Sequence, residues 1–138
     1  MTKRRRISKA NQKGRSDNPE RFIRLNHSLM NSAAWQALTP QERAVLIEVM
    51  SLHNGANNGR IGLSSRQAAA GCNINKDTAN KAFKRLVQLG FLKQASEGSF
   101  DYKVPHSPTW EVTEFEVRGR APTKDYRDWR PEKNRGPK

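Results

Sequence analysis

Lys76, Asp77, Asn80, Lys81, Lys84 and Gln88 recur at spacings of one, three and four residues. At about 100° per residue they fall on one continuous face of a helix, and Ala79, Ala82, Phe83 and Leu86 fall opposite. A stripe of ammonium and amide groups backed by an apolar stripe is equipped to donate hydrogen bonds to an anionic partner. It makes or breaks no covalent bond, and the rest of the chain offers no catalytic constellation either. There is no P-loop, no Gly-x-Ser-x-Gly and no His-Glu-x-x-His. The acidic residues are scattered, whereas metal-dependent nucleases cluster them. His27, His53, His106 and Cys72 show neither C-x-x-C nor H-x-x-x-H spacing, so no metal site and no cofactor are expected, and the chain reads as a non-enzyme.

Charge points the same way. The 138 residues carry 26 Lys and Arg against 13 Asp and Glu, a formal net charge of +13. An excess of that size favours a polyanion, usually nucleic acid and less often an acidic membrane surface. It is concentrated at the ends. Residues 1–20 hold seven basic and two acidic groups, residues 118–138 hold eight and three, and the stretch between holds eleven and eight. The expected layout is a disordered basic arm over 1–20, one globular domain over 21–117, and a basic, largely disordered tail over 118–138. No apolar run approaches the roughly 20 residues that cross a bilayer. The basic Met1–Arg15 stretch is followed by no apolar region of a secretory signal. The single cysteine excludes an internal disulfide and fits a reduced, cytoplasmic, nucleoid-associated location.

The elements that must position the polar stripe are punctuated clearly. Phe22, Ile23 and Leu25 suggest an extended segment, and Ser28–Leu38 one or two helical turns. Thr39-Pro40-Gln41-Glu42 is a capping box with proline in the first turn. The helix it opens should run to about His53 and be largely buried, polar only at Gln41, Arg43, Glu48 and Ser51. Asn54–Gly59, with two Asn-Gly pairs, is a loop, and Arg60–Leu63 a short strand. Ser64 caps a helix through Ala70, with Gln67 completing a second capping box and Gly71 ending it. Cys72-Asn73-Ile74 makes a turn, Asn75 caps the next helix, and Gly90 ends that one. Phe91–Ala95 and Thr109–Val117 then suit two strands of a hairpin, with Ser96–Pro108 as a long tip. Trp35, Val45, Val49, Phe83 and Leu86 are core candidates, and Trp110 should pack on the sheet.

The stretch from Leu63 to Leu92 resembles the winged helix-turn-helix family. The likeness rests on a small capped helix (Ser64-Ser65-Arg66-Gln67-Ala68-Ala69-Ala70), a Gly71–Ile74 turn, a cap followed by Lys76-Asp77-Thr78, and Leu86-Val87-Gln88-Leu89-Gly90-Phe91-Leu92. With the preceding helix as a first core helix, it spans roughly residues 28–117. The expected fold is therefore α+β, mostly α: three core helices plus a β-hairpin wing. The chain is most similar to small helix-turn-helix proteins of bacteria, phages and plasmids, which serve in replication initiation, excision and transcription control.

Several expectations come with that resemblance. The second helix of the pair enters the major groove of double-stranded DNA, so Lys76, Asp77, Thr78, Asn80, Lys81 and Lys84 become its contact residues. Asn80 suits an adenine edge, Lys76 or Lys81 a guanine, and Thr78 a phosphate or a thymine methyl. Asp77 accepts from cytosine or caps its own helix; it stands where the family often has a basic residue, as Asn75 stands where the family often has Ser or Thr. Ser64, Ser65 and Arg66, at a helix N-terminus, face a phosphate. Lys93, Lys103 and His106 lie on or near the wing. The Lys3-Arg4-Arg5-Arg6 cluster lies along the minor groove. A homodimer or higher oligomer on DNA would use Ser28–Leu38 or the Tyr126–Trp129 tail. Two alternatives stay open: a non-specific architectural DNA- or RNA-binding protein, and a protein-interaction winged helix.

Overall fold

Residues 21–26 carry no regular secondary structure and lead into two short helices, α1 (His27–Met30) and α2 (Ala33–Ala37), followed by the first long one, α3 (Pro40–Ser51). The computed structural model describes residues 20–96, 99–101 and 104–131. The remaining elements are β1 (Ile61–Gly62), α4 (Ser65–Cys72), α5 (Lys76–Gln88), β2 (Leu92–Ser96), β3 (Ser99–Asp101), β4 (Val104–His106), β5 (Thr109–Val112) and a 3-10 turn at Asp125–Asp128. The architecture is mixed α+β and mostly helical, with a small three-stranded antiparallel sheet in the order β1-β5-β2.

Local chemistry accounts for the helix starts. Thr39 N–H donates to Glu42 Oε1 at 2.8 Å and Glu42 N–H to Thr39 Oγ1 at 3.2 Å, a reciprocal box that satisfies two otherwise unpaired amides. Ser64 and Gln67 repeat the arrangement at 3.0 and 3.1 Å. The interior of α3 differs from expectation. Val45, Leu46, Val49 and Met50 form its buried stripe, but Ile47 and, just past the helix, Leu52 are exposed. Packing against α4 and α5 covers one side only, and Ile47 falls away from it. The end of α4 also differs. Gly71 lies inside the helix, and Asn73 takes the left-handed conformation, with φ 56°. Ile74 N–H reaches back to Ala69 O at 3.0 Å, closing a Schellman-type end in which asparagine does the work usually left to glycine. The turn to α5 is therefore Asn73–Asn75, one residue later than expected.

The first hairpin strand keeps its expected length but is shifted by one residue, and the returning strand is shorter than the alternation suggests. β2 begins at Leu92 and β5 stops at Val112, because Thr113 breaks away. Its Oγ1 donates to Gly90 O at 2.6 Å and its N–H to Phe91 O at 3.0 Å. β5 is central, paired to β1 through Ile61 and Trp110 and to β2 through Leu92 and Val112. The stretch expected as a long tip holds a separate ribbon, β3 with β4, in which Ser99 faces His106.

Aromatic stacking joins helices to sheet. The rings of Phe83 on α5 and Trp110 on β5 are parallel within 2° at 4.5 Å. Trp110 Nε1 donates to Leu63 O at 2.8 Å, so its one polar group is satisfied as it is buried. Asn58, in the loop before β1, is also buried. Its Oδ1 accepts from Val112 N–H at 2.7 Å and its Nδ2 donates to Val112 O at 2.9 Å. This side-chain amide imitates a strand partner for the end of β5.

The expected loose tail from Arg118 requires correction. Residues 118–131 return to the domain, and only 132–138 lie outside the described residues. Tyr126 is fully buried and stacks on Phe91 at 5.0 Å. Its hydroxyl donates to Glu114 Oε2 at 2.6 Å. Lys124 Nζ lies 3.0 Å from Glu114 Oε1, and Lys124 N–H donates to Thr113 O at 2.9 Å. Gly90 permits the approach. Its φ is +88°, and a Cβ there would sit 2.7 Å from Asp125 C and Tyr126 N. Tyr126 and Trp129, offered above as a dimerisation segment, instead pack within the chain. The expected 1–20 arm falls outside the described residues, save Glu20.

Candidate nucleic-acid interface

α4 and α5 form one unit across the Asn73–Asn75 turn. Asn75 Oδ1 accepts from Thr78 N–H at 2.7 Å and starts α5. From that cap the apolar series Ala79, Ala82, Phe83 and Leu86 turns inward and is buried. Geometry then leaves Lys76, Asp77, Asn80, Lys81 and Lys84 outward, and all five are exposed. Thr78 is half-buried on the flank. The structure thus brings five of the six sequence-selected α5 residues to one solvent-facing side.

The start of α4 flanks this side. Ser65, half-buried, donates from Oγ to Asn80 Oδ1 at 3.4 Å and ties the two helices together. Arg66 is exposed. Ser64 Oγ accepts from Gln67 N–H at 3.1 Å as the helix cap, which leaves its O–H as a donor. Ser107 Oγ donates to Gln67 Oε1 at 3.3 Å, anchoring the chain before β5 to the same end of α4.

Between α5 and the sheet runs a cleft of about 300 Å³, lined by Ser65, Asn80, Phe83, Lys84, Val87, Gln94, Pro108 and Trp110. Its rim is polar and its floor is the Phe83–Trp110 stack. Gln94 and Val87 were not singled out from the sequence. By parity Gln94 shares the face of buried Leu92, yet it is exposed, because on that face it borders the cleft beside its register partner Trp110, a long-range pairing.

The remaining expected contact residues separate into three cases. Lys93 is on β2, but its ammonium lies 3.5 Å from Asp125 and 3.8 Å from Glu111, so its charge is largely answered within the chain. His106 sits in β4, apart from the α5 face in the chain and paired with Ser99. Arg4, Arg5, Arg6 and Lys103 lie outside the described residues.

The perturbed titratable groups lie elsewhere. Burial pushes the Cys72 thiol up, and the Glu48 carboxylate adds to the effect. Burial lowers the His53 imidazole, against the pull of Glu116. Burial, then the Glu114 hydrogen bond and charge, hold the Tyr126 phenol well above its ordinary range. Among the described residues no group of three or more His, Cys, Asp or Glu is placed to hold a metal ion, and no helix is long and apolar enough to cross a membrane. Comparison of the chain with protein-family models, with curated proteins and with solved structures gives no match.

Proposed function

We propose that the chain is a winged helix-turn-helix protein that binds double-stranded DNA in a sequence-specific way and has no catalytic role. On this reading α4, the Asn73–Asn75 turn and α5 are the helix-turn-helix, β2 and β5 with the ribbon between them are the wing, and α5 enters the major groove. The observation that carries the reading is the division of α5: Lys76, Asp77, Asn80, Lys81 and Lys84 exposed on one side, Ala79, Ala82, Phe83 and Leu86 buried on the other. The major groove is wide enough for a helix, and its floor presents the acceptors that amides and ammonium groups need. The lysines and Arg66 supply phosphate contacts, which position a protein on DNA while base contacts specify the site. The excess charge of residues 1–20 adds a non-specific grip. The biological role in view is transcription regulation, or an accessory task in replication or excision, of bacterial or mobile-element origin.

Selection from a pool of random duplexes tests this directly. Recovery of one motif is expected, with affinity falling steeply as salt rises, by a log–log slope of about −0.9 per phosphate neutralised. Binding with no preferred motif contradicts sequence specificity. No affinity at low salt contradicts DNA binding altogether.

A further inference from the structure

Ser65 and Asn80 belong to different helices, and each is held by its own cap. Ser65 opens α4 directly after the Ser64–Gln67 box, and Asn80 stands on α5 beyond the Asn75 cap. The Ser65 hydroxyl donates to Asn80 Oδ1 at 3.4 Å. An asparagine amide has an acceptor end and a donor end. Reading adenine requires both, because adenine presents an amino donor and the N7 acceptor side by side in the major groove. With its acceptor end engaged by Ser65, Asn80 keeps Nδ2–H₂ as its donor end for a partner.

We propose that Ser65 is a specificity-determining residue that holds Asn80 as a donor, so that Asn80 reads a base carrying a keto oxygen in the major groove, guanine through O6 or thymine through O4, rather than adenine. The inference rests on the DNA-binding reading above. Cytosine presents only an amino group on that edge, and the N7 acceptor of adenine is flanked by one, so a donor-only amide loses the bidentate adenine pair and meets a donor at both bases, whereas guanine sets O6 beside N7 and thymine offers O4. Lys84, which follows Asn80 by one helical turn and lines the same cleft, is itself donor-only and adds a second donor on the cleft side, while the acceptor Asp77 stands a turn earlier and does not line the cleft. Under this proposal Asn80 departs from the expected adenine edge.

The test is parallel selection from random duplexes with the full chain and with Ser65→Ala, Ser65→Thr and Asn80→Ala. Asn80→Ala identifies the base position by flattening one column of the motif. At that column the native protein should enrich guanine or thymine about tenfold over adenine, and the selected base says which keto group is read. Ser65→Ala should reduce this enrichment about fivefold, with adenine gaining and the other columns unchanged. Ser65→Thr keeps the hydroxyl and should keep the preference. Adenine in the native column, a Ser65→Ala profile identical to the native one, or a motif that Asn80→Ala leaves intact overturns the inference while leaving DNA binding in place. Recovery of no motif by the native chain overturns both.

Discussion

The Tyr126 hydroxyl donates to Glu114 Oε2 at 2.6 Å, and this contact fastens the C-terminal strap to the domain. Glu114 is buried, and a buried carboxylate is costly unless it is paired and hydrogen-bonded. Lys124 supplies the charge and Tyr126 the hydrogen bond, both from a segment whose composition reads as a loose cationic tail. Three basic groups are answered within the chain: Lys124 by Glu114, Arg120 by Glu111, and Lys93, on β2, by Glu111 and Asp125. The rest of the basic charge is spread over the α5 side and both ends of the chain.

Tyr126→Phe should destabilise the fold by about 1–3 kcal/mol in chemical denaturation, because Glu114 stays buried with one donor fewer. The same contact makes stability pH-dependent. Folding raises the Tyr126 pKa above the unfolded value of 10.0, so its contribution is complete below pH 10.0 and declines as pH rises past it. Native protein should lose stability across that alkaline range, and Tyr126→Phe should lose less.

Gly90→Ala should cost at least about 2 kcal/mol, read as a fall in Tm. A side chain at φ +88° is strained, and its Cβ would meet the backbone of Asp125 and Tyr126 at 2.7 Å. The strap should loosen first, visible as faster amide exchange over 118–131 than in α3.

Asn58→Ala should cost about 2–3 kcal/mol by thermal or chemical denaturation, since it leaves the Val112 N–H unpaired in a buried setting and takes one of the two donors from Val112 O, which keeps Phe115 N–H. Asn58→Asp should not recover the loss: it keeps an acceptor for Val112 N–H but buries a carboxylate oxygen against the carbonyls of Val112, Phe115 and Glu116.

Lys81→Ala and Lys84→Ala remove exposed side chains and should leave Tm within about 1 °C of native, at most a few tenths of a kcal/mol. Each substitution at a phosphate contact should weaken duplex binding across all sequences and make the salt slope shallower by about one. An unchanged slope in both would place the phosphate contacts on other residues.

What was legible in the sequence was local. Thr39 with Glu42 and Ser64 with Gln67 announce helix starts because both halves of each box lie within four residues. The two sides of α5 follow from helical periodicity alone. Gly71 misled because the rule that glycine ends helices is statistical, and Asn73 was able to take the left-handed turn two residues later. Asn58 and Glu114 were invisible because their partners lie far along the chain: an asparagine in an Asn-Gly-rich loop looks like turn chemistry until Val112, 54 residues on, arrives beside it. Tyr126 and Trp129 carried the only apolar signal in a basic, Pro-containing stretch, and that signal was the docking of the strap. At the site, the exposed lysines and Asn80 were readable one by one. The Ser65–Asn80 contact was not, because it depends on the angle at which α4 and α5 meet.

The most direct measurement is an amide chemical-shift titration of the full chain with a duplex carrying its selected motif. The largest changes are expected at Lys76, Asp77, Asn80, Lys81 and Lys84, with smaller ones at Ser65 and Arg66 and little change in α3. Perturbation centred on α3 or on the 118–131 strap, with the α5 face silent, would contradict the claim that α5 is the surface that meets DNA.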